Sequence, residues 1–144
     1  LLKRRDGNEL DGGDIVKRPR LVIAVDFDGT IVKNRWPNIG ESRLGAKTVL
    51  KWLKRRGHKL ILSTCREGKM LSLAWLHLLV WLDGITFDAC NENLPELIHK
   101  YGGDCRKISA DWYIDDLAGF LGWWSIPIIV LWLEWTKRLK LREA

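Results

Sequence analysis

The sequence predicts a three-layer α/β domain built on a mainly parallel sheet of four to five strands. Two observations carry that prediction. Short continuous apolar runs, rich in β-branched residues, alternate with longer stretches whose apolar residues recur at helical spacing. Acidic or hydroxyl residues follow directly on three of those runs, where parallel sheets present their ligand-binding groups.

The first run, Leu21-Val22-Ile23-Ala24-Val25, reads as a strand buried on both faces. Residues 27–41 contain Pro37 and two glycines and are expected to form a loop. Ala46, Val49, Leu50 and Leu53 then recur at i, i+3, i+4 and i+7, which predicts a helix that Gly57 stops. Its outer face carries Lys51, Lys54, Arg55 and Arg56. A second strand is expected over residues 59–64 around Leu60-Ile61-Leu62, and a strongly apolar helix over 68–82, closed by Gly84. Residues 85–90 predict a third strand, and 95–101 a short helix with Pro95 in its first turn. Residues 108–114 predict a fourth strand, and a last helix runs from near Pro127 to about residue 139.

The 144 residues suggest one domain, long enough to bury a core without disulfides or a structural metal. At 47% apolar and 29% charged residues the composition is that of a globular chain rather than a disordered one. Nine Trp imply a large aromatic share in core or interface. The net charge of +6 gathers at the ends, on Lys3, Arg4, Arg5, Lys17, Arg18 and Arg20 and again on Lys137, Arg138, Lys140 and Arg142. Residues 1–20 are therefore expected to be a disordered basic leader before one domain spanning 21–144. The leader lacks the apolar stretch of a signal peptide. Cys65, Cys90 and Cys105 are odd in number and dispersed, which argues against a disulfide framework or zinc ribbon and fits the cytoplasm. Residues 117–135 hold Glu134 as their one ionisable group, but Gly119, Gly122, Ser125 and Pro127 interrupt them. They are expected to form a buried loop and a packed helix rather than a membrane span, with any exposed part serving a homodimer.

The chemistry lies at the strand ends. The first strand ends in Asp26, with Asp28, Gly29 and Thr30 just beyond; the second ends in Ser63-Thr64; the fourth ends in Asp115-Asp116, and Lys107 precedes it. Carboxylates gathered on one sheet edge repel each other, and a hard cation offsets that cost. An all-oxygen set suits Mg²⁺, which recruits phosphate oxygens. A hydroxyl and an ammonium are what a transferring phosphoryl group needs around it. The blander readings are a turn for Asp26 to Thr30, a helix cap for Thr64 or for Asp115-Asp116, and a solvated lysine for Lys107, with Lys100 as its rival. Cys65 is not a thiol-phosphatase nucleophile, because Leu71 stands where that loop needs Arg; it reads as a small buried filler. A receiver domain places its acidic pair after the first strand, whereas here the pair comes last.

Asp26-Phe27-Asp28-Gly29-Thr30 resembles motif I of the haloacid dehalogenase (HAD) superfamily, Leu60 to Thr64 its motif II, and Ile114-Asp115-Asp116 its acidic motif IV. The resemblance covers roughly residues 21 to 116 and is closest to a small capless bacterial branch of hydrolases. It implies a Rossmann-like fold and a Mg²⁺-dependent phosphomonoesterase. In that scheme Asp26 is the nucleophile that forms an aspartyl-phosphate, and Asp28 is the general acid and base. Asp26, Asp28 (through its backbone carbonyl), Asp115 and Asp116 hold the metal. Thr64, Ser63, Gly29 and Lys107 surround the phosphoryl group.

The intervals between these motifs leave no room for a separate cap, so an open site is expected. Such a site suits a phosphorylated substrate that is large, or a small one shielded by a partner subunit, with Arg35, Trp36 and Asn38 on the flap after motif I helping to select it. A nucleic-acid end is an alternative substrate that is not favoured, and a membrane is not favoured as a partner. The non-enzymatic alternative is a phosphate- or metal-binding module.

Overall fold

The computed structural model describes residues 18–144, so most of the basic leader read from the sequence lies outside the described residues. Four parallel strands form the central sheet in the order β5-β4-β1-β6. They are β1 (Val22–Val25), β4 (Lys59–Leu62), β5 (Ala89–Cys90) and β6 (Trp112–Ile114). The chain leaves β1 for β4 and β5 on one side, then returns to set β6 on β1's other edge. That order is the doubly wound arrangement, and the reversal between β1 and β6 is its switch point.

Alternation along the strands divides the core in two. Ile23 and Val25 of β1, Leu60 and Leu62 of β4 and Ile114 of β6 pack with the helices α1 (Ala46–Arg55), α2 (Gly68–Trp81) and α4 (Ile126–Glu143). Ala24, Ile61 and Ala89 point the other way, to Leu94 and Ile108. This second face is thinly covered, since α3 (Pro95–Tyr101) contributes no fully buried residue. The apolar quartet that predicts α1 is its buried set.

Several features depart from the sequence reading, among them the loop at 117–122, expected to be buried, where Leu117 and Leu121 are exposed. The loop expected over 27–41 is largely an antiparallel hairpin, β2 (Val32–Arg35) with β3 (Asn38–Ser42). Its strands are short and mostly polar, so no apolar alternation reveals them. The third and fourth strands are shorter than their apolar runs and pair over only two and three residues. The last helix runs on to Glu143, beyond the expected end, because its basic residues suit a helix C-terminus. Cys65 is exposed rather than buried, since its neighbour Arg66 takes the inward position.

Glu134 explains how an apolar terminal segment docks on a small domain. Arg56 grips its carboxylate with Nε at 2.9 Å and Nη2 at 2.7 Å, and His58 Nε2 lies 3.0 Å away. His58 in turn accepts the Leu21 amide at Nδ1. One buried carboxylate thus ties α4 to the end of α1 and the start of β1. No helix of the described residues is long and apolar enough to cross a membrane. The outer side of α4 leaves Ile128, Leu131, Trp132 and Trp135 exposed.

Removing one partner of this buried group leaves charge uncompensated. Glu134→Ala should cost about 3 kcal/mol in urea unfolding, and Glu134→Gln less. Burial holds the His58 imidazole below its ordinary 6.5, against the opposing pull of Glu134. Burial pushes the Glu134 carboxyl up, but Arg56 and His58 outweigh it and hold it below 4.5. Both groups bind protons more readily unfolded than folded. Stability should therefore fall as pH drops below about 6.5 and again below about 4.5; Glu134→Ala should flatten the slope below 4.5 and, by removing the group that opposes burial at His58, steepen the one below 6.5.

Candidate active site

The end of β1 and the end of β6 bring three carboxylates together at the switch point. Asp26, Asp115 and Asp116 each offer an oxygen, and these oxygens lie within 4.8 Å of one another. The arrangement follows from the pairing of the strands: Val25 sits opposite Ile114, so the residues just after them are neighbours. The Asp26 amide bonds the Ile114 carbonyl at 2.9 Å and continues the ladder one step further.

Thr30, fully buried, is the joint of the cluster. Its hydroxyl donates to Asp26 Oδ2 at 3.0 Å and accepts the Asp116 amide at 2.9 Å. Its carbonyl accepts the indole N–H of buried Trp123 at 2.8 Å. Gly29 must be glycine on two counts. Its φ is +91°, and a Cβ there would lie 2.3 Å from Asp116 Oδ2. The β1 turn can approach the second acidic strand end only because that side chain is missing. Burial raises the Asp26 carboxyl to about 6; the Thr30 hydroxyl and Phe27 amide pull it back, and the charges of Asp115 and Asp116 push it further up.

Asp28 stands apart from this cluster. Arg66 holds its carboxylate in a two-pronged pair, Nε and Nη2 each at 2.7 Å from one oxygen. The same guanidinium donates to the Pro37 carbonyl at 3.0 Å and the Asn38 carbonyl at 2.9 Å, at the tip of the hairpin. It also lies about 5 Å from the ring centres of Phe27 and Trp36. Arg66 is 1% exposed, the bulkiest fully buried side chain described. The signal that marks it is its position two residues past Thr64, on the turn that brings the chain back toward Asp28.

Thr64 follows β4 beside this pair. Its amide donates to Asn91 Oδ1 at 2.8 Å and its hydroxyl accepts the Arg66 amide at 3.2 Å, leaving the hydroxyl proton for a ligand. It caps no helix, since α2 begins at Gly68 with Glu67 before it. Ser63 continues the ladder by donating to the Val25 carbonyl at 2.9 Å. Asp115 closes a turn by accepting the Leu117 amide at 2.8 Å, and no helix starts there. Lys107 is not bonded to the acidic cluster. Its Nζ lies 6.0 Å from the Tyr113 ring centre, on a cleft of about 660 Å³ between α3 and β6. Lys100 sits on α3, 5.2 Å from the Tyr101 ring. Thr30, from the first motif, and Arg66, Asn91 and Trp123, from outside the residues singled out, complete the scaffold.

Fold and site together define a doubly wound α/β protein with an all-oxygen acidic centre at its switch point. The solved structure of a conserved protein coded by a locus of Bacteroides thetaiotaomicron is similar, with 41% sequence identity and a TM-score of 0.65 over 75% of this chain and 86% of that one. This chain belongs to the same family as that Bacteroides protein. No family model matches the chain, and comparison with curated proteins finds no match.

The Arg66 pair joins three segments, so its loss should be felt in all of them. Arg66→Ala leaves Asp28 without its cation and the hairpin carbonyls without donors, and should lower stability by about 3 kcal/mol. Urea unfolding measures the total. Limited proteolysis should show cleavage appearing first at the 34–38 hairpin tip.

Proposed function

We propose that this chain is a Mg²⁺-dependent phosphohydrolase of the HAD type, acting through an aspartyl-phosphate on Asp26. The observation that carries the reading is the meeting of Asp26, Asp115 and Asp116 within 4.8 Å at the switch point. The donor chemistry fits the cation. Three carboxylates with no His or Cys among them suit a hard divalent ion, which would offset both the burial and the neighbouring charges that raise the Asp26 carboxyl. Mg²⁺ would be held by Asp26, Asp115, Asp116 and the Asp28 carbonyl, and when bound supplies positive charge to the phosphoryl oxygens.

The chain's own residues divide the remaining work. A carboxylate oxygen of Asp26 attacks phosphorus as the bond to the leaving oxygen breaks. Thr64 donates its hydroxyl proton to a phosphoryl oxygen, with Ser63 and Gly29 flanking it. Asp28, carrying a proton from solvent, turns one oxygen from Arg66 and protonates the leaving oxygen. It then takes a proton from the water that attacks phosphorus, and Asp26 departs as a carboxylate. Lys107 supplies a cation only if the loop at 104–109 swings toward the cluster.

The chain between β1 and α1 is one hairpin, that between β4 and β5 one helix, and that between β5 and β6 the short α3. This supports an uncapped centre open to a phosphorylated substrate. A non-catalytic phosphate-binding module is the competing reading, and the complete Asp26 and Asp28 pair weighs against it.

The test is a phosphomonoester panel with and without Mg²⁺. Asp26→Asn should lower kcat by on the order of 10⁴-fold, and activity surviving that change would sink the assignment. Mg²⁺ affinity should also follow the Asp26 proton. Titrations from pH 7.5 down to 5 should weaken progressively below about 6, approaching tenfold per pH unit, with proton release on binding. A flat profile would remove Asp26 from the metal site.

A further inference from the structure

A cleft of about 520 Å³ opens directly on the acidic centre, with Gly29 and Asp116 in its wall. It is unlike the centre itself. Trp124 and Leu121 line it while 59% and 81% exposed, and Phe120 packs edge-on to Trp123 behind them at 5.5 Å. Trp124 is not a loose surface ring. A Cβ on Gly45 would meet its Cε2 at 2.9 Å, and Gly45 has φ +84°, so the turn before α1 is shaped to seat this indole. One cation faces the same space. Arg43 donates Nε to the Gly29 carbonyl at 2.9 Å, and its terminal nitrogens make no hydrogen bond among the described residues. The other basic residue in the wall, Lys33, is already paired with Glu41 at 2.6 Å.

An exposed aromatic and aliphatic surface costs hydration free energy unless a ligand covers it, and an apolar cleft with few polar groups is how small-molecule sites are built. Placed beside the carboxylates rather than over them, the surface meets the part of a substrate that leaves, and Arg43 meets its phosphate side. We propose that this cleft is a leaving-group subsite and that the substrate is a phosphomonoester whose leaving group carries a flat aromatic ring, stacked on Trp124. The proposal rests on the phosphohydrolase reading and narrows its substrate class.

Adenosine 5′-monophosphate and ribose 5-phosphate break the same P–O bond and differ by the ring, so their kcat/KM ratio isolates the subsite. With Mg²⁺ the wild type should favour the nucleotide by about tenfold or more, the scale of one aromatic stack. Trp124→Ala should bring the ratio near one while leaving ribose 5-phosphate turnover unchanged, and Trp124→Phe should restore part of it. A 5′-phosphorylated oligonucleotide in parallel separates a free ring-bearing ester from a strand end. A wild-type ratio near one, or a ratio that survives Trp124→Ala, overturns the subsite. If the wild type turns over neither ester, the phosphomonoester panel still decides the phosphohydrolase reading, and equilibrium dialysis of adenosine 5′-monophosphate with Mg²⁺ judges the cleft alone. Binding that weakens at least about fivefold in Trp124→Ala supports the subsite, and unchanged or absent binding overturns it.

Discussion

A guanidinium in a protein interior is costly unless every face of it is used, and Arg66 is used on every face. Two of its nitrogens take the Asp28 carboxylate, two backbone carbonyls of the hairpin tip take further donors, and Phe27 and Trp36 flank its plane. The turn after β1 and the hairpin share the buried Phe27, Ile31 and Val32, and this one cation ties the turn after β4 to both. With those turns fixed, Thr64 stands beside Asp28, and Thr30 can reach both Asp26 and the backbone of Asp116. The order of the centre is thus a consequence of satisfied hydrogen bonding around one buried charge, with Gly29 giving the clearance that lets the acidic strand ends approach.

Much of this was legible in the sequence where a short-range physical rule applied. Continuous apolar runs located β1 and β4, the i, i+3, i+4, i+7 quartet located α1, and the polar residues after each run placed Asp26, Thr64 and Asp115 on one edge. The hairpin was not legible, because Val32 to Ser42 buries little on either strand and its pairing is held by Arg66 from a distant turn. Arg66 itself looks like any arginine after a strand; its role depends on where Asp28 lies in space. Glu134 is the reverse case. As the single charge in an apolar run it stands out, but its partners Arg56 and His58 are visible only once α4 is folded back onto α1.

Ionic groups of opposite purpose therefore occupy the two ends of β1, one buried and one open to solvent. The Glu134 cluster balances its charges internally and anchors a helix. The Asp26 cluster sets three carboxylates facing one another, with Thr30 bonded to Asp26 and to Asp116, and burial first, then the neighbouring charges, raises the Asp26 carboxyl. The same side-chain type is structural in one place and chemically poised in the other, and the difference lies in which charges surround it.

Thr30 and Asp116 are 86 residues apart, and the bond between them closes only when β6 docks along the free edge of β1. Parallel pairing of this kind comes late in folding, because a long chain segment must be ordered before the contact repays its entropy. During synthesis the segment bearing Asp26 emerges well before its acidic partners. A nascent or partly unfolded chain holds an isolated aspartate in place of the three-carboxylate cluster. Completion of the sheet and assembly of the centre are then one event, so a cation that binds the finished cluster selects the fully folded chain and stabilises it by mass action.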